Sequence, residues 1–195
     1  HLDDFAQAHA GVELEVVLSI PYLDLQAIDA DVDVRHGVAA DASAVLMHDV
    51  VLPLAAPTLL AHSAALRVPS DLRHHVLLRT PIEPWAPWFR AAGLDWPEPT
   101  GGAKLVDLGL TLEAAVQGQG IALARPSLAR RWIEGGNLVA PFALAARPAK
   151  QYHLAAVSAA PIARDFATWL HERCARWVVA SHALLALPAL PSDSA

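Results

Sequence analysis

KLVDLGLTLEAAVQGQGIALAR, residues 104–125, decides the reading of this chain. It reads as one βαβ unit. A short apolar strand (Leu105, Val106) leads to a helix opening near Asp107, Gly118 and Gly120 stop that helix, and a second strand runs from Ile121 to Ala124. Leu108, Leu112, Ala115 and Val116 fall at i, i+4, i+7 and i+8, so the helix carries one apolar stripe that needs a sheet to pack on. A helix joining two strands in this way returns right-handed over a parallel sheet, which predicts a parallel α/β layer. In open sheets of that kind small molecules bind beyond the carboxyl ends of the strands, at a helix N-terminus, which places Asp107, Leu108 and Gly109 at a ligand mouth.

The flanking sequence extends the pattern in both directions. Residues 1–9 resemble the last turns of a helix, and Val12, Leu14, Val16 and Leu18 alternate with period two, as in a strand exposed on one face. A short helix is expected over Tyr22–Ala30 and a strand through Val32 and Val34 to Gly37, which together form a second βαβ unit. Further strands are expected at Val51–Ala56, from His75 to Thr80, at Leu138–Phe142 and at Tyr152–Val157. Helices are expected at Pro57–Ser63, at Ala86–Ala92 before Gly93, at Pro126–Trp132 and, as the longest pattern, at Ile162–Val179. The tail from Ser181 should begin helical and end frayed.

Composition removes several function classes. The 195 residues are 54% apolar and 17% charged, which requires an ordered core. Twenty acidic residues against fourteen basic give a net charge of −6, which argues against gripping a phosphate backbone unaided. The one cysteine, Cys174, cannot form an internal disulfide. No signal peptide is recognisable and no charge-free apolar run reaches about eighteen residues, so a soluble, cytoplasmic chain without membrane contact is expected. The start on His1 is compatible with a piece of a longer protein. No metal site is expected, because the adjacent His74 and His75 point to opposite faces of an extended strand and no C-x2-C or H-x3-H spacing occurs. No nucleophile elbow, phosphate loop or dinucleotide fingerprint is present, so neither a catalytic residue nor a cofactor is assigned.

Taken in order, HAGVELEVVLS, DLQAIDADVDVRHG, VLPLAAPTLL, PSDLRHHVLLRT, EPWAPWFRAAG, the 104–125 unit and FATWLHERC carry a family likeness from about His1 to Trp177. The chain resembles the effector-binding (substrate-binding) domain of LysR-type transcriptional regulators, and more narrowly those similar to the glycine-cleavage activator. The resemblance implies an α/β fold of the type 2 periplasmic-binding-protein kind, with two Rossmann-like subdomains around a central cleft. Crossover strands would lie near Val51–Ala56 and Tyr152–Val157. Residues 1–50 plus 158–180 would then form the first subdomain and 51–157 the second, with 181–195 as a tail. It further implies a small-molecule effector, amino-acid-like or aromatic, homodimers or tetramers, and DNA contact through a helix-turn-helix domain that this chain lacks. The alternatives are a solute-binding component of transport with the same fold and, last, a small α/β enzyme. One departure concerns Leu108, where relatives usually carry a serine; Asp107 is then left to cap the helix, and its charge disfavours a ligand carboxylate at that end.

Seven residues are candidates for effector binding. Arg35 matches a position typical of the family, where its guanidinium could hold a carboxylate, although pairing with Asp31 or Asp33 would serve structure alone; His36 is expected to face solvent or a loop. Thr80 and Trp85 follow a strand at a place where related regulators contact effectors, unless Trp85 and Trp88 only staple the next helix. On the first reading Trp85→Ala removes effector binding and leaves the fold intact. Asp107 is a helix cap first and a ligand contact second, and Leu108 adjoins it. Arg125 ends the last strand of the 104–125 unit, and Tyr152 lies on the return crossover, where an aromatic in relatives reaches the cleft.

Overall fold

The computed structural model describes residues 2–18 and 30–187. In chain order it contains α1 (Leu2–Ala8), β1 (Val32–Gly37), β2 (Leu52–Leu54), α2 (Pro57–His62), α3 (Ala86–Ala91), α4 (Leu108–Val116), β3 (Ala122–Ala124), α5 (Pro126–Glu134), β4 (Gln151–Val157) and α6 (Pro161–Leu184). Short 3-10 helices lie at Ala42–Ala44 and Pro69–His74.

The 104–125 unit forms around α4. The Asp107 carboxylate accepts the Leu110 N–H at 2.7 Å and so satisfies one of the free donors of the first turn. Gly118, at φ +71°, ends the helix in the left-handed conformation that glycine adopts without strain. Leu112 and Ala115 of the stripe are buried. The first strand is shorter than expected: Val106 is exposed, and the ladder contact falls at Lys104, bridged in parallel to Arg79. Ile121 is bridged in parallel to Leu77, so the 77–79 segment runs between the two arms of the unit and in the same direction. β2 closes the other side of β3, antiparallel, with Leu52 opposite Ala124 and Leu54 opposite Ala122.

Both faces of this layer are covered, as a parallel layer requires. Leu52, Leu54, Ala122 and Ala124 pack with Leu112, Ala115 and Ala129 of α4 and α5. Val51, Ile121 and Leu123, of opposite parity, pack with Trp85, Trp88 and Phe89. Close approach makes Gly120 obligatory, since a Cβ there would stand 2.7 Å from the Val76 carbonyl oxygen. Gly120→Ala is expected to cost about 1–3 kcal/mol by overpacking, measured by urea denaturation. An unchanged midpoint would mean that the two segments can part without loss.

The second sheet differs from expectation. β1 and β4 pair antiparallel, with Arg35 opposite His153, His36 opposite Tyr152 and a register shift between Asp33 and Val34. The return strand, grouped above with the middle of the chain, therefore makes its ladder with the residues of the thirties. The strand expected over Val12–Leu18 does not form among the described residues: Val16 is 73% and Leu18 78% exposed, with no ladder partner. Alternation marks an extended amphipathic segment, but a strand also needs a neighbour to bond to. The helix expected over Tyr22–Ala30 lies almost wholly outside the described residues.

The last helix is longer than its pattern suggested, because partners hold its final turns. Near its start Phe166 and Trp169 pack on Phe5 of α1, at 5.0 and 5.4 Å between ring centroids. Near its end the Trp177 Nε1–H donates to the Ser127 carbonyl at 2.9 Å and the Arg130 guanidinium lies 4.2 Å over the Trp177 ring. The buried Asp49 carboxylate joins these elements. Oδ2 accepts both the N–H and the hydroxyl of Ser127 in the first turn of α5, and Oδ1 meets His182 Nε2 of α6 at 2.7 Å. The end of α6 thus rests on α5.

Candidate functional site

Arg125 follows β3 and stands at the N-cap of α5, whose first helical residue is Pro126. Its backbone is extended there, and its side chain is fully buried. A buried guanidinium carries a permanent charge and five N–H donors, all of which need partners. Three segments of the chain supply four of them. Nε–H donates to Glu83 Oε1 at 2.5 Å, Nη1 to Gln151 Oε1 at 3.0 Å and Nη2 to the Lys150 carbonyl at 2.6 Å. His36 Nε2 lies 3.2 Å from Nη2, and since the guanidinium can only donate, that ring nitrogen is the acceptor. The guanidinium carbon is 5.3 Å from the centre of the Tyr152 ring, which in turn tilts against the His36 ring at 4.8 Å.

Glu83 comes from the turn after the 77–79 segment, His36 from β1, and Gln151 and Tyr152 from β4. Groups from both sheets thus converge on one side chain at the carboxyl end of β3. Burial raises the Tyr152 phenol above its ordinary value of 10.0; Arg125 opposes this, while Glu83 and Asp107 add to it. The phenol therefore stays a neutral donor throughout the physiological range. In a Tyr22→Phe background, ultraviolet phenolate absorbance is expected to show Tyr152 titrating above pH 10. Because the folded chain keeps a proton that the unfolded chain gives up, stability should fall as pH rises from 10 toward that midpoint. A Tyr152 midpoint at or below 10 would contradict the burial.

Beside the pair lies a narrow crevice walled by Glu83, Leu108, Thr111, Leu112, Arg125 and Leu128, of about 10 Å³, room for about one water. Of the candidates read from the sequence, Arg125, Tyr152 and Leu108 are brought together here. Asp107 is exposed and committed to its cap. Thr80 is buried, and its hydroxyl oxygen accepts the Ile82 N–H at 3.3 Å, which shapes the turn that carries Glu83. Trp85 and Arg35 stand elsewhere. The Trp85 ring is sealed in the core, stacked on Phe89 at 5.5 Å, with its Nε1–H donating to the Leu78 carbonyl at 2.9 Å. The Arg35 side chain is 69% exposed and paired with Asp33 at 2.7 Å. His36, one residue on and of opposite parity, is the strand residue that faces inward.

Glu83, His36 and Gln151 are the members that sequence reasoning missed. The one sequence signal for Glu83 is an acid between Pro81 and Pro84, in an otherwise apolar stretch. Among the described residues no group of three His, Cys, Asp or Glu side chains could hold a metal ion, and no helix is long and apolar enough to cross a membrane.

Comparison with known proteins bears on this arrangement. The family model described as LysR substrate binding domain matches residues 1–175. The HTH-type transcriptional regulator y4mQ of Sinorhizobium fredii is 33% identical over 184 residues, covering 89% of this chain and 60% of that protein. The glycine cleavage system transcriptional activator of Escherichia coli is 31% identical over 145 residues, covering 72% of this chain and 48% of that protein. Both relatives are transcription regulators and not enzymes, and this chain spans about half to three fifths of their length. The crystal structure of the effector domain of the regulator AmpR from Pseudomonas aeruginosa superposes with a TM-score of 0.77 at 28% identity, over 92% of this chain and 89% of that one. The AmpR effector binding domain of Citrobacter freundii does so with 0.73 at 26% identity, over 90% of each. The fold is that of the type 2 periplasmic-binding proteins, as the sequence resemblance implied.

Proposed function

Because this chain belongs to the LysR substrate-binding domain family, we propose that it binds a small-molecule effector between its two sheets, at the Arg125 group, for a regulator that reads DNA through a separate domain. The observation that carries this reading is the convergence on Arg125 of Glu83, His36, Gln151 and Tyr152, drawn from both sheets. A molecule held there touches both halves at once. It can shift their arrangement by the difference in its affinity for the two states, which is all that effector control requires.

The subdomains divide as 1–50 plus 158–180 and 51–157, with Val51–Ala56 and Tyr152–Val157 crossing between them and 181–195 as a tail. Homodimers or tetramers and a cytoplasmic location follow from the family reading. A transport role is not favoured, since the relatives named above are regulators. Arg125, Tyr152 and Leu108 are the binding residues, with His36 added; Arg35, Thr80, Trp85 and Asp107 act on the surface, the turn, the core and the helix cap.

A thermal-shift screen of the purified chain against amino acids and aromatic acids tests the role. A true effector at a hundred times its Kd is expected to raise the melting temperature by about 5–10 °C. Leu108→Phe, which fills the crevice from its half-buried rim, should abolish that shift. A shift that survives in full in Leu108→Phe would move the binding site away from Arg125.

A further inference from the structure

Building on the effector-sensing role proposed above, we infer that Glu83 is an internal stand-in for the effector, which displaces it from Arg125 through a carboxylate borne on a short apolar stem. Arg125 is the one permanently charged cation among the buried described residues, so it needs an anion beside it. Glu83 meets it through a single oxygen, Oε1 on Nε, whereas a carboxylate best grips a guanidinium with two oxygens on parallel N–H groups. The Nη1 donor goes instead to the neutral Gln151 amide. An incoming carboxylate can take Nε and one Nη together. That exchange leaves the buried charge unchanged, one anion for another, while a neutral or cationic ligand would strand the guanidinium in a site of low polarity.

The surroundings set the size of the ligand. The crevice holds about 10 Å³, so the space on offer is that vacated by the Glu83 side chain and about one water. Leu108, Leu112 and Leu128 form its walls, which suits a short aliphatic stem. Asp107 caps α4 and adds negative charge near Tyr152, which disfavours a second anionic group. The class is therefore a compact monocarboxylate. Glu83 can leave because it points inward from the bend Pro81–Pro84, whose first residue is exposed. The exchange is felt across the molecule, since Nη2 is bonded to the Lys150 carbonyl at the entry to β4 and touches His36 on β1.

Propionate serves as the probe and propionamide, of the same shape but uncharged, as its control, with ionic strength matched by sodium chloride. Glu83→Ala is expected to melt about 5–15 °C below the wild-type chain, because Arg125 then lacks its anion. Millimolar propionate should restore at least half of that loss, and propionamide or chloride none of it. If Glu83→Ala does not fold, Glu83→Gln keeps the volume and should be stabilised by propionate more than the wild type is. Equal responses to propionate and propionamide, or no response in either variant, overturn the inference. A screen hit that stabilises the wild type while neither variant answers propionate also overturns it and leaves the effector role standing. Propionate rescue in a chain whose wild type answers no compound supports carboxylate exchange and counts against the effector role.

Discussion

Arg125→Met is expected to lower the stability of the chain by about 3–5 kcal/mol, a fall of roughly 6–20 °C in melting temperature. The methionine fills most of the space, so the loss is electrical: the Glu83 carboxylate, 2% exposed, remains buried without the guanidinium that neutralises it. The Gln151 amide and the Lys150 carbonyl lose their donors at the same time. Adding Glu83→Leu removes the stranded charge, and the double variant should recover most of the loss, because an apolar pair can replace a buried ion pair at little net cost. Denaturation of the two single variants and the double variant completes the cycle. If the double variant is no more stable than Arg125→Met, the two side chains are not coupled and the account of the site fails.

Trp85→Ala is expected to cost about 3–5 kcal/mol, as large-to-small changes of aromatic core residues do. The ring is 1% exposed, stacks on Phe89 and stands edge-on to Trp88 at 6.2 Å, so its removal opens a cavity in the aromatic cluster. It also removes the donor from the Leu78 carbonyl, whose neighbours pair with Ile121 and with Lys104. Trp85→Phe keeps much of the apolar contact and loses only the hydrogen bond, at about 1–3 kcal/mol. Urea midpoints of the two variants separate the terms. A Trp85→Ala chain with near wild-type stability would return this residue to the ligand side.

The contrast between Arg125 and Trp85 shows what local pattern can carry. α4, its Asp107 cap, its Gly118 stop and its two-faced sheet were legible because each follows from spacing within a few residues. Trp85, Trp88 and Phe89 stand at i, i+3 and i+4, the spacing of a buried helical face, and that signal outweighs the likeness to a ligand-contacting position. Choosing between Arg35 and His36 was beyond reach, since the inward side of β1 depends on its pairing with a strand more than a hundred residues later and on the register shift after Asp33. Glu83 is equally opaque: its partner is 42 residues away, and no periodicity links them. Among the described residues the strand expected at Val12–Leu18 has no ladder partner, for a related reason: alternation describes one strand and bonding needs two.

The Asp49 carboxylate joins α6 to α5 at one end. Through Ser127 and His182 it fastens the end of a 24-residue helix to the first turn of α5, two residues from Arg125. Such a helix is about 36 Å long. Its other end carries α1, through Phe5 and the rings of Phe166 and Trp169. One helix thus ties the surroundings of the buried cation to α1, with its middle packed on Leu46, Met47 and Leu154 on the way.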